Sequence, residues 1–442
     1  MKRKYILLLL AVLAFVMTGC EKKEERDTYI DGSDFQYQYL DEYELNKSKG
    51  KDCLYYKVGD FIYQFDEKSC MLSPLCNKVN CLHDKEKDQS RMMQCNAYVS
   101  SDFDNYGLQY MNGYVYTIID ESDGKHNNAF LYKMKEDGSS KERVYKWTDR
   151  LIESWCMHRG NAYVLEHFYD ETRKEWYQIN KISVEQGKKT KTIFEPDQNI
   201  SVIGFHGLKA YGNHLYFNLY AMSGKNLDNI SDEDFDKYEY NKTFQYHLLD
   251  ETLTEITAPK QKETEHTTDV IFWKDKIIYT PIDSKNAHEY DKTTNLYIAD
   301  LDGKNPSILL KDVPQYQRYS SDGEYLYSSN SVEVLDRLFH SEEYKKKLKA
   351  GEEYCVKEEL AVQIKIYDKD MKLVDEIQTP PNKELPHELP YGIGNRQYVI
   401  AKEKDKVILK YWDKEKIGNY HGDTMKYTKI AETEVAQNSE ED

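Results

Sequence analysis

Between residues 35 and 431 the chain repeats one local pattern: strand, tight turn, strand, variable loop, strand, second tight turn, strand. The first turns read Met111-Asn112-Gly113, Arg159-Gly160-Asn161, Gly212-Asn213, Lys274-Asp275, Asp322-Gly323 and Gly394-Asn395. Second strands are expected over 114–119, 162–168, 214–220, 276–281, 324–329 and 397–401, and third strands over 130–134, 176–182, 295–300 and 362–367. Asp137-Gly138 and Asp302-Gly303 supply second turns of hairpin type. An earlier, degenerate unit spans 35–73, with middle strands at 54–58 and 61–65. Repeated four-stranded units arranged radially close into a ring. The expectation is an all-β chain: a β-propeller of four-stranded blades, seven by this count, with short helical insertions. Six or eight blades are compatible with the degenerate first unit. A two-sheet sandwich is the alternative, but it seldom repeats the same turn chemistry so often.

The residue types agree with strands. The chain holds 39 Tyr against 14 Phe, and tyrosine suits a pleated, half-buried surface with one wet end. Short alternating runs outnumber windows with a 3.6-residue apolar period.

The first twenty residues carry an address. Lys2, Arg3 and Lys4 precede an unbroken apolar run of 13 residues, 5–17. That is the length of a signal-peptide core and falls short of the roughly 20 residues that span a bilayer. Met17-Thr18-Gly19-Cys20 follows. This motif resembles the bacterial lipobox, with Met17 where leucine is usual. The resemblance implies cleavage before Cys20 and a diacylated thioether on it, and two acyl chains anchor stably where one is marginal. Ordinary secretion with a chance cysteine is the plain alternative. The domain reading is a signal peptide over 1–19, a lipidated tether over 20–34, a propeller over 35–431 and a disordered acidic tail over 432–442. The expected location is the extracytoplasmic side of the cell membrane.

Two stretches resemble a known blade type. Ser321-Asp322-Gly323-Glu324-Tyr325-Leu326-Tyr327 and Leu296-Tyr297-Ile298-Ala299-Asp300-Leu301-Asp302-Gly303 look like blades of TolB-type propellers. The cysteine segment discussed below resembles uncharacterised propeller lipoproteins of gut Firmicutes. Propellers of these kinds bind proteins, peptides or glycans, and some are enzymes, so the resemblance leaves function open.

Charge excludes one partner class. Removing the three basic residues of the leader takes the formal net charge from −17 to −20. Such a field repels nucleic acid and anionic lipid surfaces. In an up-and-down blade the tight turns collect on one face, and the loops between second and third strands collect on the other with the interblade links. Two long insertions, 221–243 and 330–359, and the link 74–98 are therefore expected on a single face. Short helices are expected near Ser231 and over 341–348. The acids of the first insertion favour a cationic or protein partner.

Catalytic signatures are missing: there is no G-x-S-x-G elbow, P-loop, G-x-G-x-x-G, H-E-x-x-H or EF-hand loop. His158, His167, His206 and His214 read as satisfied structural residues, and the five tryptophans as packing between blades. One cluster stands out: Cys76-x4-Cys81-x-His83-x11-Cys95, with Cys70 just upstream. Three thiols and an imidazole suit a tetrahedral structural zinc. Disulfides, natural in an exported chain, and plain reduced thiols compete with that reading. With Cys20 lipidated an odd number of cysteines remains, and Cys156, in an expected inner strand, reads as a buried apolar residue.

The functional reading is a non-enzymatic, monomeric lipoprotein that binds or scaffolds an extracytoplasmic protein, peptide or glycan, with no nucleic-acid partner. A carbohydrate-active hydrolase or lyase and an envelope assembly factor are the alternatives.

Overall fold

A computed structural model of the chain describes residues 27–37, 46–99, 107–122, 125–169, 175–184, 190–197, 200–223, 239–259, 261–262, 265–268, 270–283, 292–334, 362–379, 398–403 and 405–435, with isolated positions in 342–349. The chain is a seven-bladed β-propeller. Six blades have four described antiparallel strands paired in chain order from the axis outward: 47–74, 109–148, 151–194, 200–256, 271–314 and 318–378. The seventh, 398–434, has three. The segment before it, which carries the Gly394-Asn395 turn, lies outside the described residues.

The turns work as their residues require. Asn112 and Gly113 take φ of 50° and 84°, and Arg159 and Gly160 take 47° and 77°. Successive left-handed residues let a two-residue turn match the twist of its strands. Lys274 and Asp275 hold the same conformation, at 51° and 56°, without glycine.

The core lies between blades. Side chains of blades 2 and 3 form one cluster around Trp147, Trp155, Leu131 and Val164. Blades 3 and 4 meet through Leu165, Phe205 and Phe217, and blades 4 and 5 through Tyr216, Phe272 and Ile277. Trp273 and Leu326 join blades 5 and 6, and Ile364 and Trp412 join blades 6 and 7. Val407 and Leu409 of blade 7 share a cluster with Leu54, Ile62 and Phe65 of blade 1, which closes the ring by side-to-side packing. Four of the five tryptophans are buried in these seams, as expected.

Three expectations need correction. The first blade begins at Lys47–Lys49, not at Phe35. Residues 27–37 instead cross the turn face, including positions that composition assigned to the tether. The Gly32 carbonyl accepts from Asn112 N–H of blade 2 (2.7 Å), and the Ser33 carbonyl from Arg159 N–H of blade 3 (2.8 Å). Asp27 accepts from Asn213 N–H of blade 4 (2.9 Å). Tyr37 meets Tyr211 of blade 4 and Phe272 of blade 5. The acidic tail also starts later than residue 432. The last strand runs Tyr427–Glu434, because Glu432 is held by Lys406 and Lys429 and Val435 is buried against blade 1. Residues 436–442 lie outside the described residues, as do the helix expected near Ser231 and most of both long insertions; of the helix expected over 341–348, Glu342, Lys345 and Lys346 are described, and they are helical. Thirdly, the link 74–98 does not lie on the loop face alone. It starts there, where Ile62 N–H donates to the Ala97 carbonyl and Val99 N–H to that of Asp60. It then reaches the outer turn of blade 2 at Gly138. Among the described residues no helix is long and apolar enough to cross a membrane.

Candidate metal centre and central cavity

The link between blades 1 and 2 brings four of the five cysteine-segment candidates together. One ligand atom from each of Cys76, Cys81, His83 and Cys95 lies within 4.8 Å of every other. Cys95 Sγ and His83 Nδ1 are 3.5 Å apart. No described cysteine is in a disulfide. Cys70 is not part of the group: it is exposed in the outer turn of blade 1, with φ of 54°.

Local structure explains the convergence. Asn80 and His83 both adopt left-handed backbone, with φ of 62° and 54°, which turns the chain sharply twice within four residues. Asp88 caps the short helix Gln89–Met92 by accepting from Ser90 and Arg91 N–H. Cys95 N–H then bonds the Met92 carbonyl (2.9 Å) and brings Cys95 back to the group. Gly138 of blade 2 backs the site so closely that a β-carbon there would stand 2.7 Å from the Cys76 nitrogen. Its carbonyl accepts from Asn96 Nδ2 (2.8 Å) and Asn77 N–H (3.3 Å).

Burial opposes ionisation of Cys76, yet N–H groups of Lys78 and Asn96 and the thiols of Cys95 and Cys81 hold it below the ordinary thiol range. Burial, with Cys76 and Cys81 alongside, pushes Cys95 up. Burial also lowers His83, against the pull of Asp84. Half-buried Lys141 donates to the Tyr98 carbonyl and lies close enough to Cys95 to feel its charge. Burial lowers that ammonium to about 8. The set offers three sulfur donors, one nitrogen donor and a neighbouring cation.

A second site lies at the axis. The inner edge of blade 5 is interrupted: Ile271–Trp273 pairs with the strand Lys276–Tyr279, and Glu265–Thr267 pairs separately with Pro281–Asp283. The cavity there, about 350 Å³, draws its walls from blades 4, 5 and 6. Phe35 and Tyr37, from the segment that crosses the turn face, contribute to it. Arg318 and Ile271 begin the first strands of blades 6 and 5 at their loop-face ends. Tyr316, Tyr319, Asn218 and Asn241 add rings and amides. The Oδ1 atoms of Asn218 and Asn241 are buried without a hydrogen-bond partner, a costly state. Among the described residues no Asp or Glu lines this cavity, whereas Lys209, Arg318 and His266 do. Burial lowers His266, opposed by nearby Asp283.

The sequence gives no local signal for this cavity, whose lining spans 35–332. Its one trace is a set of polar residues at buried strand positions: Asn218, Ser321 and Ser329. His158 and His214 are satisfied as expected, whereas His167 is satisfied only in part, its Nε2 buried without a hydrogen-bond partner. His158, His167 and His214 sit in strands with hydrogen-bond partners, and Cys156 is buried alone.

No protein-family model matches the chain, and no curated protein does. Solved structures do. An oligogalacturonate lyase in complex with manganese aligns over 93% of this chain and 92% of its own, at 11% identity and TM-score 0.43. A prolyl endopeptidase aligns over 91% of this chain but 52% of its own, at 9% and 0.47. The β-propeller domain of the Trilobed protease from Pyrococcus furiosus aligns over 90% and 99%, at 10% and 0.40. These likenesses concern fold alone and carry no argument about ligand or reaction.

Proposed function

We propose that the protein is a lipid-anchored, extracytoplasmic binding lipoprotein whose axial cavity receives part of a polar ligand, a glycan or a peptide. One observation carries the reading: a cavity of about 350 Å³ lined by Asn218 and Asn241, whose Oδ1 atoms are buried without a hydrogen-bond partner. Ligand sites of this kind combine apolar and aromatic walls with a few convergent polar groups. The lining favours a neutral or anionic guest, since among the described residues it holds Lys209, Arg318 and His266 and no carboxylate. A glycosidase working with two carboxylates finds neither of them among the described residues of this lining.

The anchor supports the same reading. Cys20 precedes Asp27 by seven residues, a reach of at most about 25 Å when fully extended. Asp27 is fixed on the turn face. An acyl chain on Cys20 would draw that face to the membrane and leave the loop-face mouth of the cavity outward.

The test is a glycan array carrying neutral and uronate-bearing oligosaccharides, with a peptide library beside it. The best probe is then titrated calorimetrically against wild type, Asn218→Leu and Arg318→Ala. Binding that weakens at least tenfold in both variants supports the cavity. Binding unchanged in both places the ligand elsewhere and overturns the reading. Turnover of a bound sugar would replace it with an enzyme.

A further inference from the structure

We propose that Cys76, Cys81, His83 and Cys95 form a closed structural zinc site that staples the link between the first two blades. A tetrahedral zinc with sulfur at about 2.3 Å and nitrogen at about 2.0–2.1 Å spaces its ligand atoms roughly 3.5–3.8 Å apart. The Cys95–His83 edge already measures 3.5 Å, and the other edges stay within 4.8 Å. Closing the set needs only small side-chain movements.

The way the link is held points to the same ion. Between residues 77 and 94 three of the four large apolar side chains face water: Val79 is 88% exposed, Met93 58% and Leu82 55%, and Met92 alone packs against the core. The thiols turn inward instead. A segment that spends most of its apolar residues on solvent is not fixed mainly by apolar burial. Hydrogen bonds such as Tyr63 O–H to Asp84 and Gln89 Nε2 to Tyr98 hold parts of it, and the group on which Cys76, Cys81, His83 and Cys95 converge adds a point where its two ends meet. The left-handed backbone at His83 is a costly conformation for a histidine, and it brings the imidazole to the three thiols.

Charge and second contacts fit. Zinc with three thiolates and a neutral imidazole carries one net negative charge, and Lys141 supplies the nearby ammonium. Backbone N–H groups of Lys78 and Ala97 point at the sulfurs of Cys76 and Cys95, each two residues earlier. Such contacts orient thiolate ligands. All four ligands come from protein, so no position remains open for water or substrate, and the role is structural. Binding releases the thiol protons to solvent with no change of oxidation state.

The experiment uses the detergent-solubilised full chain, isolated without chelator. Elemental analysis should find one zinc per chain, and Cys70→Ser should leave that count unchanged. His83→Ala should lose zinc to a competing chelator at least tenfold more readily. Cobalt(II) added anaerobically to chelator-stripped wild type should give tetrahedral d–d bands and thiolate-to-cobalt charge transfer. That spectrum needs no variant, so a misfolded cysteine mutant cannot obscure the result. A folded chain with no zinc and no cobalt spectrum overturns the proposal. So does mass spectrometry that finds a disulfide among Cys76, Cys81 and Cys95.

Discussion

The backbone N–H of Phe35 donates to Nδ1 of His158, 3.1 Å away and 123 residues later in the chain. The other ring nitrogen, Nε2, meets the Gly212 carbonyl at 2.8 Å. The imidazole is therefore neutral, with its proton on Nε2, and it ties the N-terminal segment to blades 3 and 4. Burial, only partly offset by Asp34 and the Gly212 carbonyl, lowers His158 from 6.5 to about 4.

Acid should loosen this tie. Between pH 6.5 and 4 the unfolded chain binds a proton that the folded chain refuses, so stability rises with pH across that window. The full loss on acidification is on the order of 3 kcal/mol. Burial also lowers His214 and His266, which adds to the slope in the same direction. His158→Gln can keep both hydrogen bonds without titrating. Urea midpoints measured from pH 7 to 4 should fall less steeply in the variant than in wild type. Equal slopes would exclude His158 as the source.

Arg159 and Asp34 make the charged half of the same clasp. The guanidinium reaches both Asp34 oxygens, at 2.7 and 3.1 Å, and Asn213 Oδ1 at 2.8 Å. The Asp34 side chain is fully buried. Arg159→Ala leaves that carboxylate without its partner and should cost about 3–5 kcal/mol in denaturant unfolding. The double variant Asp34→Asn, Arg159→Met should recover much of the loss. A single variant as stable as wild type would show that residues 27–37 rest on the ring without supporting it.

The anchor is tested by Cys20→Ala. The 13-residue apolar run is too short to span a bilayer, so the variant should move to the soluble or secreted fraction on cell fractionation. Retention in the membrane at the wild-type level would remove the lipid anchor from the functional reading.

The repeat of turn chemistry carried the ring into view. Asn112-Gly113 and Arg159-Gly160 demand tight hairpins, and alternating strands between them demand buried faces. Blades with such faces can satisfy one another only side by side. The Cys76-x4-Cys81-x-His83-x11-Cys95 spacing likewise marked a cluster, because cysteine and histidine close in sequence can meet without long-range help. Spacing could not exclude Cys70, which the outer turn of blade 1 leaves in solvent. Nor could it reveal that Gly138, some sixty residues from Cys76, backs the site through a neighbouring blade. The N-terminal clasp and the axial cavity were decided only by tertiary structure. Asp27, Asp34 and Phe35 read as tether or strand until the closed ring presents Asn213, Arg159 and His158 to them. Asn218, Asn241 and Arg318 share a wall only because blades 4, 5 and 6 converge on one cavity. Local pattern fixes each blade through nearest-neighbour pairing. A site at the axis depends on side chains far apart in sequence, and no local period encodes their meeting.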